Sequence, residues 1–161
     1  MNLYVLGAPG SGKSSVVPVL KALIPDHAVI DWDVFMAPAA LLAGRAVPTA
    51  PATWTAYENL VRAAVEAVSP VPTVLLGVAT PDQLDGWPAG DWLLLDCTDA
   101  ERRARLAPRG DAVDVADALA DAAEYRALGL PSVDTTGMTP DVVAAQVAAC
   151  ARDASRPGGD R

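Results

Sequence analysis

Eight consecutive residues, Gly7-Ala8-Pro9-Gly10-Ser11-Gly12-Lys13-Ser14, restrict this chain more than any other stretch. They meet the phosphate-binding pattern G-x-x-x-x-G-K-[ST] at every fixed position. Asn2 to Leu6 before them reads as a short buried strand, and Ser14 to Leu23 after them as a helix. The glycines let the backbone fold around phosphates with several N–H groups pointing inward. The helix N-terminus adds partial positive charge. Lys13 is expected to be exposed to the loop and to reach the β- and γ-phosphates of a nucleotide. The Ser14 hydroxyl is expected to ligate Mg²⁺. Ser15 reads as a first-turn helix residue at the edge of a seat running from Gly10 to Ser15.

Strand and helix patterns alternate through the rest of the chain. A second strand, His27 to Ile30, ends at Asp31-Trp32-Asp33, and Val34 to Ala43 follows as a helix stopped by Gly44. Arg45 to Pro51 reads as a loop. A longer helix is predicted over 55–68, with Thr55 and Glu58 at capping-box spacing and Trp54, Tyr57, Val61, Ala64, Val65 and Val68 at helical spacing. Thr73 to Val78 is continuously apolar, as a central parallel strand is. A loop with room for a short helical turn leads to a fourth strand, Trp92 to Cys97. Thr98 and Glu101 then start a helix through Ala107, broken at Pro108-Arg109-Gly110. Asp111 to Leu128 reads as helix with Gly129 as its cap. Pro131 to Asp134 is a short fifth strand, and Thr139-Pro140-Asp141 opens a last helix to Ala154. Five strands alternating with helices imply an open parallel α/β sheet covered on both faces. Residues 1–154 read as one domain and 155–161 as a frayed tail.

The charge balance narrows the partners. With 161 residues, 52% of them hydrophobic, the chain is able to bury a core. Its net charge of −8 repels nucleic acid and anionic membranes in general. Cys97 and Cys150 are too few for a disulfide framework and fit a reducing compartment. No signal-peptide pattern is present and the apolar runs are too short to span a bilayer. A soluble cytoplasmic protein is expected, with no nucleic-acid or membrane partner; nothing fixes its oligomeric state.

These motifs together resemble the small P-loop kinases of the adenylate-kinase-like superfamily. The small-molecule branch is closest: shikimate kinase, gluconate kinase, chloramphenicol phosphotransferase and the polynucleotide 5′-kinase domain. The resemblance rests on four features. These are the phosphate loop, Asp31-Trp32-Asp33 after the second strand, Glu101 to Leu106 with Arg109, and Val133-Asp134-Thr135-Thr136-Gly137 before the last helix. It implies a three-layer P-loop NTPase fold with strand order 2-3-1-4-5 and a short lid. It also implies ATP and Mg²⁺ as cofactors and a small-molecule hydroxyl as acceptor.

Roles follow for particular residues. ATP-Mg²⁺ is expected on Gly10, Ser11, Gly12, Lys13, Ser14 and Ser15. An alcohol acceptor needs a carboxylate to orient it and take its proton; the resemblance puts Asp33 there, with Asp31 facing the metal. Either aspartate is also able to cap the following helix. Arg105 and Arg109 suit a γ-phosphate whose charge spreads in the transition state. Arg102, three residues from Arg105, is expected to stack on adenine as its equivalent does in similar kinases, while Thr136 and Gly137 border that base. The third strand ends without the acid many P-loop enzymes carry there. Thr80 either binds a metal-bound water or caps the turn that starts Thr80-Pro81-Asp82-Gln83. Trp32, Phe35, Met36, Arg45, Trp54, Tyr57 and Trp87 mark the acceptor region, with Trp54 and Tyr57 also fitting ordinary core packing. Arg45 is the only basic residue between Lys21 and Arg62, so a doubly charged acceptor is not expected. A rival reading is a nucleotide-binding regulatory protein, or slow NTPase, with no phosphoryl acceptor.

Overall fold

The computed structural model describes residues 1–47, 51–112 and 114–155. The proposed tail at 155–161 lies, but for Ser155, outside the described residues. The chain runs β1 (Asn2–Leu6), α1 (Lys13–Leu23), β2 (Ala28–Asp31), α2 (Met36–Ala43), α3 (Pro51–Ala67), β3 (Thr73–Gly77), β4 (Gly90–Asp96), α4 (Asp99–Leu106), α5 (Val115–Ala127), β5 (Ser132–Asp134) and α6 (Pro140–Ala154). All strand pairs are parallel, in the order β2-β3-β1-β4-β5. The expected sheet and its order are therefore both present.

Strand alternation divides the core into two faces. Leu3, Val5, Leu76, Leu93 and Leu95 point to one side. There they meet Val16, Val17 and Leu20 of α1 and the alanine-valine face of α6: Val143, Ala144, Val147, Ala148 and Ala151. Small residues on α6 let its axis lie close to α1 and the sheet. On the other side Tyr4 and Leu75 pack on Trp32, Tyr57, Val61 and Val65, while Leu6 and Leu94 pack on Ala122 and Tyr125 of α5. Among the described residues no helix is long and apolar enough to cross a membrane.

Three of the boundaries that differ from expectation do so for a local reason. A 3₁₀ turn, Trp32–Phe35, separates β2 from α2, because Asp31 accepts a hydrogen bond from the N–H of Asp33 (3.1 Å) and starts that turn. Helix α3 begins at Pro51, not Thr55; proline's fixed φ suits a first helical turn, so the Thr55–Glu58 pair lies inside the helix. The helix expected from Asp111 starts only at Val115. Asp114 caps it by accepting from the N–H groups of Ala116 (2.7 Å) and Asp117 (3.3 Å), and a kinked 3₁₀ stretch, Ala107–Ala112, fills the gap.

Candidate active site

The C-terminal ends of β1, β2, β3 and β4 converge on one edge of the sheet, where parallel α/β folds bind ligands. At that edge β1 turns into the phosphate loop. The Gly7 N–H donates to Gly77 O (3.2 Å) and the Ser11 N–H to Ala8 O (3.1 Å), closing the first turn. Gly7 permits no side chain, since a Cβ there would lie 2.5 Å from Ser11 Oγ and 2.9 Å from Leu95 O. Gly10 and Gly12 hold φ of 81° and 96°, the left-handed region in which L side chains are strained. α1 then starts with Gly12 as a cap that has no side chain, and with no acid in its first turn. Its leading N–H groups have no helical carbonyl to bond and no carboxylate to neutralise them. That arrangement fits a nucleotide's phosphates.

Lys13 differs from expectation. It is 8% exposed, and its ammonium donates to Gly7 O and, at 3.5 Å, to Ala8 O. Burial pulls its pKa down to about 8, with Asp33 and Asp31 opposing the shift. The lysine is folded back into its own loop and must swing outward to meet phosphate. Ser14 and Ser15 are exposed at the helix start. Ser11 is fully buried; its carbonyl accepts from Thr135 Oγ1 (3.0 Å). It shapes the loop from within.

The lid arginines separate into three roles. Arg102 is 0% exposed, so it has no face to offer a base, and the expectation that it stacks on adenine is not met. Its guanidinium instead donates to Pro9 O (2.5 Å) and to Asp96 Oδ1 (2.5 Å), tying the phosphate loop to the end of β4. Asp96 also accepts from Arg126 (2.5 Å), which reaches Asp99 (2.9 Å) as well. Arg105 pairs with Glu101 (3.0 Å) and donates to Gly10 O (3.2 Å), Thr135 Oγ1 (3.0 Å) and Thr135 O (2.7 Å). Arg109 is exposed beyond α4.

One open cleft is lined by Gly10, Ser11, Gly12, Ser15 and Val16 on one side, Glu101, Arg105 and Arg109 on another, and Thr135, Met138, Pro140 and Val143 on the third. Thr136 and Gly137 do not line it. The Thr136 hydroxyl instead accepts from the N–H of Thr98 (2.9 Å), at the head of α4. The cleft residues of that loop lie on either side of the expected pair. Sequence reasoning misses Thr135, Met138 and Pro140; the proline at the start of α6 is visible there only as a helix signal.

Across the edge, Asp31 and Asp33 have diverged. Asp31 caps the 3₁₀ turn, whereas Asp33 is exposed. The carboxyl of Asp33 is held above its usual pKa, first by partial loss of hydration and then by the Asp31 charge, with Lys13 opposing. Behind them Trp32 is 3% exposed, stacks on Trp87 (centroids 5.4 Å apart) and meets Tyr57 edge-on (6.0 Å). The Tyr57 hydroxyl donates to Trp32 O (2.8 Å); burial, with the charges of Asp33 and Asp31, pushes that phenol well above its usual pKa. Tyr57 is therefore core, while Trp54 is 40% exposed beside it. The absent acid at the end of β3 has a steric counterpart: a Cβ on Gly77 would lie 3.0 Å from the Trp32 ring. Thr80 is buried, and its N–H donates to Gln83 Oε1 (2.9 Å), one of the two bonds of a capping box. His27 has a structural setting, with its ring nitrogens 3.1 Å from Asp26 Oδ1 and 3.2 Å from Ser155 Oγ.

Strand order and phosphate loop together give the fold that solved small-molecule P-loop kinases share. Solved structures agree. The chain is similar to a shikimate kinase from Acinetobacter baumannii solved with shikimate (TM-score 0.63, 14% identity, 97% of this chain and 95% of that one). It is also similar to a tunicamycin resistance protein from Deinococcus radiodurans (TM-score 0.65, 18% identity, 92% and 94%) and a gluconokinase from Sinorhizobium meliloti 1021 (TM-score 0.58, 16% identity, 95% and 93%). The likeness is one of fold. No protein-family model matches the chain, and no curated protein sequence does.

Proposed function

We propose that this protein is an ATP-dependent phosphotransferase that moves the γ-phosphoryl group to a hydroxyl of a small molecule. One observation carries the reading. The helix N-terminus at Gly12 and the arginines Arg105 and Arg109 line one cleft, Lys13 is held in the loop beneath it, and Asp33 is near enough for its charge and that of Lys13 to act on each other. In this reading the base lies between Arg105 and the Met138–Pro140 segment, and the phosphates on Gly10 to Ser15. Lys13 leaves Gly7 O for the β- and γ-oxygens, and Arg109 meets the charge that spreads as the phosphoryl group moves.

In this reading Ser14 and Asp31 would hold a Mg²⁺, which would neutralise phosphate charge. Among the described residues no group of three or more His, Cys, Asp or Glu forms a metal cage. That agrees with a cation held mainly by phosphate and water. Asp33 accepts the proton as the acceptor O–H bond breaks and the O–P bond forms, while the bond from γ-phosphorus to the bridging oxygen breaks and ADP departs. Rate enhancement comes from positioning and charge.

The decisive experiment measures ADP release with and without candidate alcohols. Release that rises well above the water rate with one alcohol, together with its phosphorylated product, is the expected result. ATP binding with no stimulation by any alcohol would favour the second reading, a nucleotide-binding regulator. The Trp32 ring in place of an acid against Gly77 is the observation on its side.

A further inference from the structure

One carboxylate that no sequence motif marks lies beside the phosphate loop; its role deepens the phosphotransferase reading and rests on it. Helix α5 buries Ala118, Ala122 and Tyr125. Ala122 and Tyr125 pack on Leu6 and Leu94 and on Ala8 of the phosphate loop. The Tyr125 hydroxyl donates to Val78 O (2.7 Å), just past the end of β3. That bond and that packing lay α5 over the ends of β1, β3 and β4. Asp121 sits one turn before Tyr125 and three residues after Ala118, so it shares their face. It is half-buried there, whereas Asp117 and Glu124 on the same helix are exposed.

Among the described residues the Asp121 carboxylate accepts no hydrogen bond and joins no ion pair. Burial, then the charges of Glu124 and Asp117, hold its carboxyl above the usual aspartate range, and Lys13 and Arg102 oppose that shift. Lys13 is also the cation that opposes the shift of Asp33. With the strand order β2-β3-β1-β4-β5, Asp33 acts on Lys13 from the β2 side and Asp121 from the β4 side. A half-buried, unpartnered carboxylate beside like charges costs folding free energy. A charge kept at that cost beside a phosphate loop points to a ligand contact. Phosphates repel it, and a carboxylate only accepts, so its partner is a donor group on the other substrate.

We propose that Asp121 is an acceptor-binding carboxylate: across the phosphate loop from Asp33, it accepts a hydrogen bond from a second donor group of the acceptor, a hydroxyl or an ammonium. The acceptor is then a polyhydroxylated or amino alcohol, held at two points so that its reacting hydroxyl meets Asp33. A monoalcohol lacks the second point and leaves the carboxylate unpaired.

Matched alcohols on propanol and cyclohexanol frames, with hydrogen, hydroxyl or ammonium as the second group, test this, followed by a library of polyols and amino alcohols. ADP release and phosphorylated product are read with wild type, Asp121→Asn and Asp121→Ala, beside ATP affinity by calorimetry, Mg²⁺ dependence and urea unfolding. Members with a second donor should exceed the monoalcohol at least about tenfold in kcat/KM. Asp121→Ala should raise acceptor KM at least about tenfold, with ATP affinity within a few-fold of wild type and the urea midpoint unchanged or higher. An ammonium acceptor should lose more with Asp121→Asn than a hydroxyl acceptor, because the amide keeps an accepting oxygen and loses the charge. A monoalcohol as the best substrate, a loss confined to ATP affinity or Mg²⁺ dependence, or a lower urea midpoint with unchanged acceptor KM would overturn this inference and leave the phosphotransferase standing. Intact ATP binding with no acceptor-dependent release from any member would overturn both.

Discussion

The phosphate-loop side and the Asp33 side of the sheet edge are built by different means. Around the phosphate loop side chains are tied to backbone: Arg102 to Pro9 O and Asp96, Arg105 to Gly10 O and Thr135, Thr135 to Ser11 O. Around Asp33 the supports are aromatic stacks and a single capping bond from Asp31, with Val34, Trp54 and Asp33 itself left to solvent. Polar networks fix backbone positions closely, because each donor and acceptor demands a geometry. Apolar walls fix shape and tolerate substitution. A closely pinned loop beside a more adaptable apolar surface is what that contrast teaches.

The sharpest way to break the contrast is at Asp33. Asp33→Asn should lower acceptor phosphorylation by on the order of 10²–10⁴ while leaving calorimetric ATP affinity within a few-fold of wild type, because an amide keeps the size and cannot take a proton. Unchanged turnover would remove the acceptor half from the mechanism. The raised pKa of Asp33 adds a sign: turnover should climb as pH rises through a value above the ordinary aspartate range, since the base must be ionised. The Asp33→Asn protein should lose that limb of the profile.

A smaller effect separates the two lid arginines. Arg109→Ala should lower kcat by on the order of 10²–10³ with little change in ATP affinity, as for a group that meets charge only in the transition state. Arg105→Ala should instead weaken ATP binding along with turnover, because Arg105 organises Gly10 and Thr135 in the resting protein. Equal behaviour of the two variants in kcat and binding would merge the roles assigned here.

Arg102 tests the rigid half by itself. Arg102→Met keeps the volume and removes the link to Pro9 O. Asp96 retains Arg126, so the stability loss on urea unfolding should be about 1–3 kcal/mol, below the ~3–5 expected when a buried charge is left alone. Turnover should fall by on the order of tenfold through a looser phosphate loop. Hydrogen exchange at Gly10 to Lys13 should accelerate; unchanged exchange would mean the guanidinium only fills space.

The mildest prediction concerns protons. With Lys13 at about 8 in the free protein, phosphate contact should restore a higher value. ATP binding near pH 8–9 should therefore take up a fraction of a proton, and affinity should fall as pH rises through about 8. Calorimetry in buffers of different ionisation enthalpy measures the uptake, and Lys13→Met should abolish it. For folding the sign is set by a depressed lysine. Below about 8 the buried charge opposes folding in full, and that cost fades as pH rises from about 8 toward 10.5.

Much of the molecule is legible in the amino-acid sequence alone. The phosphate motif, the alternation of strand and helix, the apolar run of β3 and the caps at Thr98 and Thr139 are local signals, and they place all five strands and the helices within a few residues. The loop residues Gly10, Gly12 and Ser14 and the aspartate pair are legible for the same reason: a motif is contiguous. Errors arise where a long-range partner chooses between local options. Arg102 and Arg105 both read as lid arginines on one helix face. Only the position of α4 over Pro9 and Asp96 buries the first and leaves the second beside the cleft.

Sequence by itself determined the class of fold and the presence of a phosphate seat, because hydrophobic period, glycine placement and helix capping act over a few neighbouring residues. Tertiary structure alone decided which charges face the cleft. It folded Lys13 onto Gly7 O, turned Thr135 inward and Thr136 toward α4, and set the Trp32 ring against Gly77. Burial and pairing depend on residues far apart in sequence, as with the 124 positions between Ser11 and Thr135. Such distances are closed by packing of the whole sheet, which no local pattern records.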